Sequence, residues 1–328
     1  MELQKKKSWS KDEILIFFLK NRALTLVLLF SIVLSFASDS FLTSFNLLSL
    51  ARQISANCII GVGYTLLLAS DSVDLSAGYT LCLVGIISGL LSQAGAPFWV
   101  ILLVCILVGV GCGMLNSTII TKFGLAPFLV TLAMQQIYKG TMMLLCNGTP
   151  IGKLDKTIVF IGQGFVGPIP FCVILMLVFI AAGAVILTKT QFGRDVIAIG
   201  GNSEAARVSG INVARTRLKV GATLGFTIAI TALVSCGRVG SAQTSLGADT
   251  VMDIIAAVVI GGTPMGGGSG TVVGTLFGCL VIGLISNGLN LLGVNSYWQM
   301  VSKGVIILVA VILDVFSERI YDRMRNKN

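Results

Sequence analysis

The chain contains no histidine, so the commonest general base and the commonest metal ligand are both missing. Charge is almost as scarce. Only 11% of the 328 residues are Asp, Glu, Lys or Arg, whereas soluble domains carry about a quarter. The eight cysteines, at 58, 82, 105, 112, 146, 172, 236 and 279, form no CxxC pair, and seven lie in strongly apolar surroundings. They read as small core fillers and not as disulfide or metal partners. No nucleotide-binding loop is present: the second glycine of the G-x-x-x-x-G ending at Gly266 is followed by glycine, not Lys-Ser or Lys-Thr. No paired-carboxylate or nucleophile motif lies within an apolar run, so a membrane enzyme is remote and no cofactor or metal is expected. The net charge of +9 comes without a groove-reading or aromatic pattern, so nucleic acid is not an expected partner. The cations crowd the ends of apolar runs, as topology signals and contacts to anionic membrane lipid do.

What fills the chain is apolar sequence, 55% of it, and the expectation is an all-α, polytopic integral membrane protein. A helix crosses the hydrocarbon core in about twenty apolar residues. Spans are expected at Ala23–Ser38 and at Gln53–Ser70, the latter extended back to about Asn46. Leu75–Thr121 is uncharged for 47 residues, too long for one helix, and Gln93–Pro97 supplies a turn between spans three and four. Phe123–Cys146 makes the fifth, interrupted by Lys139. Asn147–Pro170, rich in Gly and Pro, reads as a loop on the face opposite the N-terminus. Span six covers Phe171–Thr188 and span seven Val220–Gly237. Arg238–Asp253 reads as a second surface segment leading to a short eighth span, Ile254–Ile260, broken by GGTPMGGGSG at Gly261–Gly270. Thr271–Leu292 and Tyr297–Leu313 complete about ten. An even count puts both termini on one side, and 17 of the 23 cations then face the cytoplasm. The organisation expected is a basic cytoplasmic arm over 1–22, a membrane domain over 23–313 with a cytoplasmic loop at 189–219, and a charged tail over 314–328.

That loop is the longest polar interval of the second half. Asn202 is a good helix N-cap, Glu204 meets the positive end of the helix dipole, and Gly210 allows a left-handed stop. A helix of about Ser203–Ser209 follows, too short to be stable alone in water. It is either a solvated connector or a docking knob for a cytoplasmic partner. Elsewhere, Gly266, Gly270, Gly274 and Gly278 recur every four residues, which predicts one helix face open to close packing. Asp74 and Asp253 stand where helix caps belong. Asn287, Asn290, Asn295 and Gln299 offer uncharged donors and acceptors, suited either to a polyhydroxylated solute or to bonds between helices. With Asp74 and Ser76, Asn287, Asn290 and Gln299 are the candidate pathway residues. Lys303 either snorkels to the interface or pairs with a carboxylate. The polar break after span two (Asp71, Ser72, Asp74) and the glycine break after span eight occupy related places in the two halves, a pattern that points to a transport pathway.

These residues resemble the permease subunits of ribose-type ABC sugar importers. The matching pieces are VDLSAG at Val73–Gly78, FGLAPFLVTLAM at Phe123–Met134, AIGGNSEAARVSGINV, DIIAAVVIGGTPMGGGSGTVVGTLFG and SNGLNLLGVNSYWQMVSKGVIIL. They cover most of the chain from about Phe41. The resemblance implies a subunit of a bacterial cytoplasmic membrane that pairs with a second permease, two cytoplasmic ATPase subunits and an extracytoplasmic sugar-binding protein. It also implies that Gly201, Asn202, Glu204, Ala205, Ala206, Arg207 and Gly210 form a coupling helix seated in the ATPase, similar to the EAA loop of importer permeases. The closing isoleucine and Leu-Pro of that motif are absent, and Asp71-Ser72 stands where a glycine pair usually precedes Val-Asp-Leu-Ser. An ion-coupled secondary transporter is the alternative, but it would want intramembrane carboxylates or histidines, and this chain offers few.

Overall fold

Apolar runs become helices, and the turn residues end them. The computed structural model describes residues 22–247, 250–302, 304, 305, 308 and 309. The arm before 22, Asp249, Lys303 and the tail from 314 lie outside the described residues. Eight long helices follow the expected runs: α1 (Arg22–Ala37), α2 (Ser44–Ala69), α3 (Ala77–Gln93), α4 (Phe98–Phe123), α5 (Pro127–Cys146), α7 (Phe171–Lys189), α10 (Val213–Val239) and α12 (Val272–Leu291). Thr43 opens α2 by accepting from the Asn46 N–H, and Pro127 starts α5, where its missing donor costs nothing. Left-handed Gly124 ends α4. Residues 296–302 are again helical.

Four of these helices, α4, α7, α10 and α12, are long and apolar enough to cross a membrane. Burial sorts them. Only 28% of the apolar window of α4 and of α7 is buried, against 78% for α10 and 67% for α12, so the first two face outward and the second two form the interior. The axis is α2, in which every residue from Cys58 to Ala69 is buried. It touches α7, α10, α11 (Thr250–Ile260) and α12. Outward faces carry Phe36, Trp99 and Leu144 almost fully exposed, as lipid-facing side chains are.

Close packing in the interior comes from glycines. On α4, a Cβ at Gly113 would stand 2.9 Å from the Gly221 carbonyl carbon, and on α10 one at Gly225 would stand 2.6 Å from that of Gly109. Backbones at that separation tolerate hydrogen only.

Two segments depart from the sequence reading. Asn147–Pro170 is not an irregular loop: it holds α6 (Lys156–Gln163), capped by Asp155 accepting from the Thr157 N–H at 2.8 Å, and an antiparallel pair, β1 (Phe165–Val166) with β2 (Ile169–Pro170). The reason is packing. α6 buries Ile158 and Gly162 against the end of α10, where a Cβ at Gly162 would lie 2.8 Å from Arg238 Cα. Arg238–Asp253, read as a surface segment, is buried in part. Ala242 is fully buried, pairs with Ile151 through two backbone bonds of 2.8 and 2.9 Å, and lies beside Gly89 of α3. Gly247 then reaches Gly78 at the other end of α3 and donates to Cys82 Sγ at 3.1 Å. The chain therefore re-enters along α3 and continues as α11. Eleven residues of helix rise about 16 Å, half a bilayer core.

Candidate functional site

The polar interval after α7 folds as two helices, not one. Thr190 caps α8 (Gln191–Gly201) by accepting from the Gly193 N–H at 3.1 Å. Gly193, Val196, Ile199 and Gly200 form its buried face. Asn202 ends α8 and starts α9 (Ser203–Val208), its Oδ1 accepting from the Glu204 and Ala205 N–H groups at 3.0 and 2.9 Å. The other end is closed by a Schellman motif: Ile211 N–H donates to the Ala206 carbonyl and Gly210 N–H to that of Arg207, both at 3.0 Å, with Gly210 at φ +89°. These caps, with buried Ala206, hold a helix too short to hold itself. Outward it presents Glu204 paired with Arg207, and Val208, which is 82% exposed. Gly201 and Ala205 are exposed too.

The C-terminal end of α8 meets both breaks in the membrane domain. Gly200 lies against the Ala69 carbonyl, at the end of α2, and a Cβ there would stand 2.6 Å from Gly268 N. Gly268 N–H itself donates to the Ala69 carbonyl at 3.1 Å. Gly267, at φ +74°, abuts Asp71, where a Cβ would stand 2.8 Å from its nitrogen. Three backbones thus touch with no side chain between them, and the break after α2 and the break after α11 meet the end of α8 at one point.

The first break is held by a buried polar network. Asp74 is two residues ahead of the N-cap position, which Ser76 occupies, so the capping role expected for it is modified: its Oδ1 accepts from the Ser76 N–H at 2.8 Å and the Ser76 hydroxyl at 2.6 Å. Asn116 of α4 donates to Asp74 Oδ2 at 2.9 Å and to Ser76 Oγ at 2.8 Å, and accepts from the Tyr138 hydroxyl of α5 at 2.9 Å. The Tyr64 hydroxyl of α2 donates to the Asp74 carbonyl. All five residues are buried. A carboxylate with its lone pairs filled this way is an anchor. Asp253 falls inside the first turn of α11 and not ahead of it.

The other expected pathway residues separate. Asn287 of α12 and Asn46 of α2 exchange amide bonds of 2.7 and 3.1 Å, both buried. Asn290 is exposed and Gln299 half-buried, and Gln299 donates to Asn290 Oδ1 at 2.9 Å. Of the four glycines read as one helix face, Gly274 and Gly278 lie in α12 against the backbone of α11, with Cβ positions 2.9 Å from Gly261 C and 2.7 Å from Ala257 C. Gly266 and Gly270 precede the helix, and Gly266 has open space around it. The re-entrant segment adds a set the sequence reading had put on the surface: Ser241, Gln243, Thr244 and Ser245 are half-buried or exposed alongside α3. Asn116 was missed as well. A lone amide in the uncharged run of α4 was its signal.

Comparison with known proteins adds a lineage. A family model described as "Branched-chain amino acid transport system / permease component" matches residues 46–311. The ribose import permease protein of Haemophilus influenzae is 37% identical over 302 residues, 91% of this chain and 94% of that one. That of Bacillus subtilis is 40% identical over 286 residues, 86% and 88%. The galactose/methyl galactoside import permease protein of Escherichia coli is 34% identical over 317 residues, 90% and 94%. No solved structure matches. With a match over well more than half its length, and with a break after α2 and another after α11 meeting at one point, this chain belongs to the family of transport-system permease components, as a multi-pass membrane protein.

Proposed function

We propose that the chain is the membrane subunit of an ATP-driven importer of ribose or a related monosaccharide in a bacterial cytoplasmic membrane. The observation that carries this is the exposed, doubly capped α9 joined through Gly200 to both breaks. The names of the relatives, which import ribose and galactosides, support the substrate class. Two copies, or this chain and a paralogue, would enclose the pathway. Two ATPase subunits would seat Gly201, Asn202, Glu204, Ala205, Ala206, Arg207 and Gly210, and an extracytoplasmic protein would deliver the sugar. About ten spans with both termini cytoplasmic agree with the cation distribution.

The mechanism is alternating access. ATP binding draws the two ATPase subunits together, and with them the two α9 helices. Each α8 then bears on the ends of α2 and α11, which are free to tilt because each helix is interrupted there. Asp74 keeps the break after α2 tied to α4 and α5, so these move as one body. The pathway itself calls for neutral hydrogen-bonding groups, since a sugar carries hydroxyls and no charge. Ser241, Gln243, Thr244 and Ser245 supply them where the chain re-enters. Hydrolysis belongs to the ATPase, and this chain binds and gates only.

The test is uptake of labelled ribose by vesicles holding the full chain and its partner subunits. Uptake should require ATP on the α9 side and persist when ion gradients are collapsed. Uptake that survives without ATP and vanishes with the gradient would assign the chain to ion-coupled transport instead.

A further inference from the structure

A second site lies beside α9. A cavity of about 530 Å³ opens between the end of α4 and the start of α10, walled by Ile120, Leu125, Ile211 and Val213, with Arg207 and Arg217 on its rim. Arg217 also lines a crevice of about 10 Å³ with Ser70, Ser117 and Thr121. Its Nε is fully enclosed and meets no hydrogen-bond acceptor, and among the described residues no ion pair reaches its guanidinium. Arg217 therefore brings to the cavity wall a guanidinium with no carboxylate partner among the described residues, a group that an anion in the cavity would pair with.

Its depth says which kind. The 27 residues of α10 rise about 40 Å, some 10 Å more than the hydrocarbon core. Arg215, Arg217 and Lys219 crowd its first turns, ahead of an uncharged run from 220 to 237, which is the charge boundary of a helix end at the headgroups. Arg215 and Lys219 point outward there, and Arg217 turns into the cavity. Guanidinium groups recognise phosphate oxygens, and four apolar walls suit glycerol and the upper acyl chain better than a free ion.

We propose that this cavity binds the phosphate ester of an anionic glycerophospholipid and braces α9 through Arg207 and the start of α10. The leaflet is the cytoplasmic one on the function proposed above, and occupancy does not depend on that reading.

The experiment uses the full-length chain in nanodiscs of phosphatidylcholine alone or mixed with phosphatidylglycerol, followed by detergent washing and mass analysis of retained lipid. The wild type should retain phosphatidylglycerol over phosphatidylcholine. Arg217→Gln should weaken retention at least about ten-fold, the weight of one hydrogen bond to a charged group. Arg215→Gln removes equal charge outside the cavity, where salt screens it, and should change retention less than about two-fold. Ala214→Trp sets a ring into the cavity without touching a charge and should weaken retention at least about five-fold, which keeps the test decisive if Arg217→Gln fails to fold. Equal loss in Arg215→Gln and Arg217→Gln would reduce the effect to surface charge and overturn the site. Displacement of the lipid by inorganic phosphate alone, with equal thermal stabilisation, would make the ligand a free ion and overturn the lipid assignment. Protection of an Ala214→Cys thiol by added ATPase subunit, but not by phosphatidylglycerol, would give the cavity to that subunit and overturn it as well.

Discussion

Gly200 and Gly201 are neighbours in sequence and opposites in space. A Cβ on Gly200 collides with the Ala69 carbonyl and stands 2.6 Å from Gly268 N, whereas one on Gly201 finds nothing nearer than Gly268 Cα at 3.9 Å. Ordinary contact needs about 3.4 Å, so Gly200→Ala must separate α8 from the glycine loop by roughly 0.8 Å. Overpacking of that kind costs about 1–3 kcal/mol. Loss of the Gly268 to Ala69 hydrogen bond adds about 1 kcal/mol. Alanine returns up to about 1 kcal/mol of helix propensity, leaving a net loss of about 1–3 kcal/mol. Gly201→Ala gains the propensity and pays nothing for contact. Thermal unfolding of the full chain in phosphatidylcholine nanodiscs, read by tryptophan fluorescence, should drop by about 1–5 °C for Gly200→Ala and stay level or rise for Gly201→Ala. Equal midpoints, or the reverse order, would refute the three-backbone junction.

Other substitutions probe the packing around it. Asp74→Asn replaces a four-site acceptor by one oxygen and turns an amide donor toward Ser76 or Asn116; a loss of about 2–3 kcal/mol should appear as a lower unfolding midpoint and poor recovery from the membrane. Gly225→Ala puts a methyl 2.8 Å from Val110 Cα and should cost about 1–3 kcal/mol in the same assay, while Gly111→Ala, in open space on the facing helix α4, should cost nothing. Asn287→Ala leaves Asn46 only the Phe41 carbonyl and should cost about 1 kcal/mol, the scale of a hydrogen bond between membrane helices.

Much of the helical layout was readable because membrane helices announce themselves by length and apolarity. The boundaries at Gln93–Pro97 and Thr271 followed turn and cap chemistry that acts within four residues, whereas the stop at Gly124 and the start at Pro127 fall inside a run read as one span from Phe123. The α9 helix was legible for the same reason: Asn202 and Gly210 bracket it. What escaped reading depends on contacts distant in sequence. Nothing local marks Ala242 and Gly247 as buried, because their backbone groups are satisfied by Ile151, about ninety residues earlier, and by Cys82. Asp74 looks like a cap until Asn116 and Tyr138 are brought beside it. The Gly109/Gly113 and Gly221/Gly225 pairs carry the same four-residue spacing as the glycines at 266–278, yet spacing alone does not say which pair faces a backbone. Two of the four glycines in the latter set lie outside the helix.

The most direct measurement concerns α9 as the point where force enters. Full-length Glu204→Trp and Gly210→Val chains, reconstituted with the ATPase subunits and a ribose-binding protein, are assayed for ribose-stimulated ATP hydrolysis beside wild type. Both exchanges alter the exposed face or the left-handed stop of α9 and leave the membrane-buried contacts intact. Stimulated hydrolysis and ribose uptake should fall to background in both while membrane insertion stays at the wild-type level. Wild-type stimulation in either variant would mean that the motor grips the permease somewhere else.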